Sequence, residues 1–296
     1  LHNLLLIAGL AVLAWILIGE TGGIAALVAR QPAGFFRVVP TEFSLTKWAG
    51  YAAAWMTIGL GSIPQQDIFQ RVMAARDADT AVRSSVLAGV MYWTIATLPL
   101  FIALAAVQLH PELLKGDAQL IIPNMVLQHA PLWIQILFFG ALISALLSTT
   151  SGAILAPAAV VGENLIHPLF PKFSDKKRLA VIRASVVGVT AASIWMALVR
   201  QDIFELVGES SAFSLVSLFV PMTAGLYWKR ANLLGCLLSM ALGWGVWFWC
   251  DQIETAFPAI LYGLGASVVG MGVGTWVGKR QDADPALVDS PKTTFR

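Results

Sequence analysis

Residues Ala141–Ile166 read ALISALLSTTSGAILAPAAVVGENLI. With the preceding Leu132–Gly140 they form a run of about thirty residues that carries no formal charge until Glu163, enough to cross a hydrocarbon core that takes about 20. The middle of this run is nonetheless rich in hydroxyls: Ser144, Ser148, Thr149, Thr150 and Ser151. On a helix Ser144, Ser148 and Ser151 or Gly152 share one face, with Thr149 one step round. Lipid offers such groups no hydrogen bond, so the face should meet protein, water or an ion. Two readings stay open. Small residues at this spacing let membrane helices pack closely, and a Ser or Thr can bond back to a carbonyl one turn earlier. Alternatively, the hydroxyls supply part of the oxygen shell of a hard cation such as sodium.

The rest of the chain agrees with a membrane setting. Hydrophobic residues make up 57% and charged ones 12% of 296 residues, against about a quarter charged in a soluble domain. Mean hydropathy is +0.74. The fold class is therefore an all-α polytopic membrane protein. A net charge of +2 gives no basic face for nucleic acid. Cys236 and Cys250 both sit in apolar runs, which argues against a disulfide framework or a zinc site. The histidines (His2, His110, His129, His167) show no ligand spacing, and no catalytic motif occurs, so the chain does not read as an enzyme. Gly270-Met-Gly272-Val-Gly274 reads as helix packing and not as a nucleotide loop.

About eight spans are expected. Leu4–Gly19 is the first, followed by a linker over Ile24–Thr46 that contains Pro32 and Pro40 and room for a short surface helix. The second, Trp48–Ile58, is interrupted by Gly59-Leu-Gly61-Ser-Ile-Pro64-Gln-Gln before a helical pattern resumes over Asp67–Ala75. Two glycines and a proline break a membrane helix, which is tolerated where the break lines a cavity; the plainer alternative is that the helix ends at the surface there. Val86–Val107 is the third span, with a kink expected at Pro99, and a loop follows over Gln108–Pro131. The serine-rich helix is the fourth, bent by Pro157, with Lys172, Lys176, Lys177, Arg178 and Arg183 in its exit. Ala184–Val199, between Arg183 and Arg200, is the fifth, and Ile203–Trp228 the sixth. Glu209 lies in that sixth span, either as a functional intramembrane acid or as a rim carboxylate at a helix start. Leu233–Cys250 and Phe257–Val277 complete the set. Lys and Arg number 3, 3, 1, 5, 1, 2 and 0 in successive connections and 4 in the tail, so alternate connections hold 5 and 14. The richer set, with the C-terminus, is expected in the cytoplasm.

Three stretches occur in an order that resembles the sodium:solute symporter family. Ala145-Leu-Leu-Ser148-Thr149, with its Gly162-Glu163-Asn164-Leu165-Ile166 exit, is similar to the family's sodium-site helix. Phe69-Gln70-Arg71-Val-Met-Ala-Ala-Arg76 resembles the loop after its broken helix. Gly225-Leu-Tyr-Trp228-Lys229-Arg230-Ala-Asn-Leu-Leu-Gly235 resembles its basic turn. The resemblance implies a LeuT-type fold of two inverted five-helix repeats, of which this chain matches the last helix of the first repeat, the whole second repeat and two further helices. It implies sodium held by the Ser148 and Thr149 hydroxyls and the Ala145 carbonyl. It also implies sodium-coupled symport of a small organic solute by alternating access in the cytoplasmic membrane. Tyr51 and Trp55 could stack on a ring or cation, Gln65 could hydrogen-bond a polar solute, and Gly59, Gly61 and Glu209 complete the cavity candidates. Gly61-Ser-Ile-Pro64-Gln-Gln and Asp117-Ala-Gln-Leu-Ile-Ile-Pro123 lean toward proline-type and choline-type members. Expected partners are the solute, the sodium ion and the lipid bilayer, with no organic cofactor and the oligomeric state open. The start at Leu1-His2-Asn3, without initiator Met or signal peptide, leads us to expect a partial transporter domain over residues 1–280 and a short cytoplasmic tail over 281–296. The missing part would be the N-terminal half of the protein. The alternatives are a transporter-like sensor joined to a signalling kinase and a proton-coupled permease.

Overall fold

A computed structural model describes residues 2–170, 173–199 and 202–278, all of it helix and connecting turn. The expected tail, Lys172 and Arg200 lie outside the described residues. In chain order the helices are α1 His2–Glu20, α2 Ile24–Ala29, α3 Leu45–Gly61, α4 Gln66–Met73, α5 Ala78–Ile95 and α6 Thr97–Leu109. Then come α7 Ile121–His129, α8 Leu132–Ala159, α9 Asp175–Val199, α10 Ile203–Ser214, α11 Val220–Tyr227, α12 Leu233–Asp251 and α13 Ala259–Val277. Single π-helical segments extend α8 over Val160–Ile166 and join α10 to α11 over Leu215–Phe219.

Seven stretches among the described residues are long and apolar enough to cross a membrane. The eighth expected span is the broken one. Its first half, α3, is 17 residues long, and Pro64 stops it by clashing with the carbonyl four residues back, at Leu60. The chain then turns on Ile63 N–H to Leu60 C=O and Gln65 N–H to Ser62 C=O bonds before α4 begins. The same geometry explains the third span, which runs from Ala78 to Leu109. It is split after Ile95, the residue whose carbonyl Pro99 obstructs. Pro221 likewise strips a partner from the Ser217 carbonyl, in the middle of the second π segment.

The chain divides into two compact units. One comprises residues 1–36 and 70–203, the other 37–69 and 204–296. In the first, α1 lies against α6, α7 and α8 through Leu10, Leu13, Ala14 and Leu17, a stripe at helical spacing. Facing it are Ile102, Ala105 and Ala106 of α6, Met125 and Val126 of α7, and Ile134 and Phe138 of α8. Two segments expected as linker contribute to this core. Leu27 of α2 is fully buried, and the loop expected over Gln108–Pro131 contains α7. Gln135 of α8 closes the end of α7, donating its amide N–H to the Ala130 and Leu127 carbonyls at 2.8 and 3.2 Å. On the other side of α8, α9 packs on the first π segment. There Arg178 pairs with Glu163 at 2.6 Å, and Gly162 leaves no room for a Cβ beside Ile182.

In the second unit, Ala53 of α3 joins Ala212, Leu215, Val216 and Ile260 in a small core. The hairpin of α12 and α13 is held by close backbone approach. A Cβ on Gly270 or Gly274 would overlap the backbone of Leu238 or Gly235, whereas Gly272 faces open space. The expected packing role therefore belongs to two of the three glycines. Buried hydroxyls of Ser239 and Ser267 meet at 2.9 Å, and Asn232 caps α12 while donating to the Thr275 carbonyl. Cys236 and Cys250 are free thiols.

Candidate functional site

Hydroxyls in helices usually return to the backbone, because the carbonyl four residues earlier lies within reach. Several hydroxyls of this chain show the habit. Thr57, Ser85, Thr190, Ser193, Ser217 and Thr223 all donate to that carbonyl at 2.6–2.9 Å. On α8 Ser151 does the same, to Leu147 at 2.7 Å. Ser148 and Thr149 do not. Among the described residues neither hydroxyl has a hydrogen-bond partner, and both side chains are exposed, as are Ser144 and Thr150. The carbonyl of Ala145, one turn before Thr149, is left with a lone pair that the Thr149 hydroxyl does not take up. Two hydroxyls without a hydrogen-bond partner, and a carbonyl with one lone pair beyond its helical bond, thus lie on one turn of a helix of membrane-spanning length.

The described residues do not cover this face of α8. Among the described residues no atom lies within 4 Å of where a Gly152 Cβ would be, and Ser144 and Ser148 are exposed as well. Chemically the turn offers neutral oxygen donors and no nitrogen or sulfur, which suits a hard monovalent cation and not a transition metal. Hard cations take about six oxygens, so three supply half of a shell.

In the second unit, α3 presents its candidate residues on two faces. Trp48, Tyr51 and Trp55 form an edge-to-face ladder, with ring centroids 5.9 and 6.2 Å apart, on the side that Gly59 continues. Trp55 is 59% exposed, and a Cβ on Gly59 would meet nothing within 4 Å. Gly61 faces the opposite way. A Cβ there would come within 2.2 Å of the Ser211 carbonyl oxygen, so only glycine lets α3 approach α10 at this level. Just past the break, Gln65 donates to the Ser211 hydroxyl at 3.2 Å. Tyr51, Trp55 and Gly59 are therefore grouped together, and Gly61 and Gln65 form a separate group centred on buried Ser211.

Glu209 is exposed, in the second turn of α10, and it is not free of partners. The first turn, where a carboxylate best complements the helix dipole, holds Glu205 instead. An apolar cavity of about 590 Å³ between α11 and α13, lined by Phe219, Thr223, Tyr227 and Met271, involves none of the candidates. Sequence reading missed Ser211 as the anchor of the break. Its burial comes from the approach of α3 to α10 and leaves no local signal in the sequence.

The sodium:solute symporter family model matches residues 1–243. The chain belongs to that family. High-affinity choline transporter 1 of Caenorhabditis elegans is 27% identical over 199 residues, covering 62% of this chain and 34% of that protein. The sodium/pantothenate symporter of Haemophilus influenzae is 25% identical over 239 residues, covering 75% and 48%. The chain thus spans between a third and a half of the length of these relatives. A substrate-bound, outward-open structure of a Na+-coupled sialic acid symporter superimposes with a TM-score of 0.69 at 17% identity, over 95% of this chain and 62% of that one. The all-helical LeuT-type fold expected from the sequence is therefore that of a solved symporter.

Proposed function

We propose that the protein acts as a sodium-coupled symporter of a small organic solute, working by alternating access, with Ala145, Ser148 and Thr149 as half of its sodium site. The observation that supports this is the adjacent pair of exposed hydroxyls, Ser148 and Thr149, without a hydrogen-bond partner among the described residues and one turn from the Ala145 carbonyl. An ion drawn to that turn gains oxygens that cost the helix nothing. The remaining oxygens come from other parts of the carrier or from water. Sodium bound there stabilises one arrangement of α8 against its surroundings, and by linkage a solute that prefers the same arrangement binds more tightly with sodium than without it.

Tyr51 and Trp55 provide an aromatic wall suited to a cationic or ring-bearing solute, with Gly59 giving close access beside them. Gln65 and Gly61 fix the break by holding it to Ser211, and Glu209 is a secondary candidate for charge recognition. Choline, proline and pantothenate, named for the relatives, are the solutes to try first. The unequal distribution of Lys and Arg supports a cytoplasmic C-terminus and α8–α9 connection, in a cytoplasmic membrane.

The test is uptake by the protein in proteoliposomes, with and without a sodium gradient, across choline, proline, pantothenate, a sugar and a short carboxylate. Accumulation of one of them only under the sodium gradient supports the proposal. Flux that follows a pH gradient and ignores sodium replaces sodium with the proton as coupling ion. Saturable binding without flux makes the protein a receptor.

A further inference from the structure

Two histidines that the sequence leaves 19 residues apart meet at the rim of the first unit. His110 caps the end of α6 and His129 is the last residue of α7; their Nε2 atoms are 2.9 Å apart. Each ring turns its other nitrogen to a carboxylate. Nδ1 of His110 is 2.8 Å from Glu112 Oε1, and Nδ1 of His129 is 2.6 Å from Glu20 Oε2, at the end of α1. The result is an unbroken chain, Glu112–His110–His129–Glu20, that ties three helix ends together.

A metal bridging the imidazoles is the first alternative, and the geometry decides against it. The ring centroids are 5.1 Å apart, close to the Nε2 separation plus one ring radius on each side, so the two nitrogens point straight at one another. A transition metal on that line would need them about 4 Å apart, twice a metal–nitrogen bond of about 2.0–2.1 Å. No group of three or more potential metal ligands gathers among the described residues either. What fits 2.9 Å is an N–H donating to a bare nitrogen.

We propose that this chain is a proton-binding site that clasps the ends of α1, α6 and α7. Its three internal hydrogen bonds need one proton each, three in all, wherever along the chain they reside. Two neutral imidazoles with two carboxylates hold two protons, one too few; with each Nδ1–H kept on its ionised carboxylate, the inner Nε2 contact is the one left with lone pairs facing. Two imidazolium rings hold four, and the inner N–H groups then collide. Closing the chain takes up one proton in the first case and releases one in the second. The clasp therefore closes in the middle of the pH range and opens on either side.

The surrounding charges fit a shared cation. Glu112 is held below the usual carboxyl range by a backbone hydrogen bond and by His110, which keeps the outer acceptor ionised. The His110 and His129 side chains are only 24% and 13% exposed. Other charged groups nearby are Arg30 of α2, which donates to Gln108 beside His110, and Lys115 and Asp117 on the turns after Glu112.

The experiment is nuclear magnetic resonance of the protein with 15N-labelled histidine in lipid nanodiscs, from about pH 5 to 9. A nitrogen–nitrogen coupling across the Nε2 contact should be present in mid-range and lost at both ends. His110→Asn should abolish that coupling and change the titration of His129. Absence of the coupling at every pH overturns the proposal, and so does a His129 titration that His110→Asn leaves unchanged. Both readouts are independent of transport, so they stand or fall apart from the symporter assignment.

Discussion

Replacing Ser148 or Thr149 by alanine separates an ion site from a helix-packing face, because the structure fixes what else the substitution can do. Neither hydroxyl donates to the backbone, so no helical hydrogen bond is lost. Alanine is the better helix former, by up to about 0.7 kcal/mol. Both variants should therefore match or slightly exceed the parent in thermal stability. If each hydroxyl is a sodium ligand, its loss costs about 1–3 kcal/mol where nothing replaces it, which corresponds to about a 5- to 150-fold weaker apparent sodium affinity. A water entering the gap moves the result toward the lower figure. Ser151→Ala is the matched control, a hydroxyl on the same stretch of α8 that donates to the Leu147 carbonyl and is not one of the proposed ligands. The assay is the sodium concentration that half-saturates uptake in proteoliposomes for the four proteins. Unchanged values in both Ser148→Ala and Thr149→Ala would refute the ion-site reasoning. A shift in Ser151→Ala as large as in the other two would refute it equally, because the effect would then belong to the helix and not to its free oxygens.

Three further outcomes follow from the fold. Gly243→Ala sets a Cβ within 1.9 Å of the Val216 carbonyl and 2.9 Å of the Ser267 Cβ. It should lower thermal stability by about 1–3 kcal/mol or more, while Gly272→Ala, facing open space, should not. Asp77 caps α5 by accepting from Thr80, whose hydroxyl and backbone N–H, with Arg76, lower its pKa below the usual carboxyl value. Its contribution is thus complete above about pH 4 and is lost as pH falls through the lowered folded value. A melting-temperature series should show that slope, and Asp77→Asn should flatten it while keeping the cap. The Glu163–Arg178 pair leaves both side chains more than a third exposed, so Glu163→Gln should cost less than about 1 kcal/mol, and less again at high salt.

What could be read from the sequence were properties that a short window contains. An uncharged run with hydroxyls at its centre is visible in α8 without any neighbour, and Pro64 and Pro99 announce backbone disruptions because a proline acts on a carbonyl four residues away, although Pro157 lies inside α8, which runs on to Ala159. Helices of six and nine residues are a different matter. α2 and α7 exist because Leu27, Met125 and Val126 are covered by α1 and α6, and a window over Ile24–Thr46 or Gln108–Pro131 contains none of that cover. The candidates on α3 show a middle case. At 100° per residue Tyr51, Trp55 and Gly59 share a face that Gly61 does not, so the split was implicit in the spacing. That Gly61 and Gln65 both turn to Ser211 was not, because it depends on a partner 146 residues on from Gln65. The histidine chain is the extreme. His110, His129 and Glu20 come from three helix ends, their spacing in sequence matches no ligand pattern, and only the packing of α1, α6 and α7 brings them into line. Local features thus marked the hydroxyl-rich stretch of α8, the family resemblance singled out Ala145, Ser148 and Thr149 within it, and features created by tertiary closure account for what both left unseen.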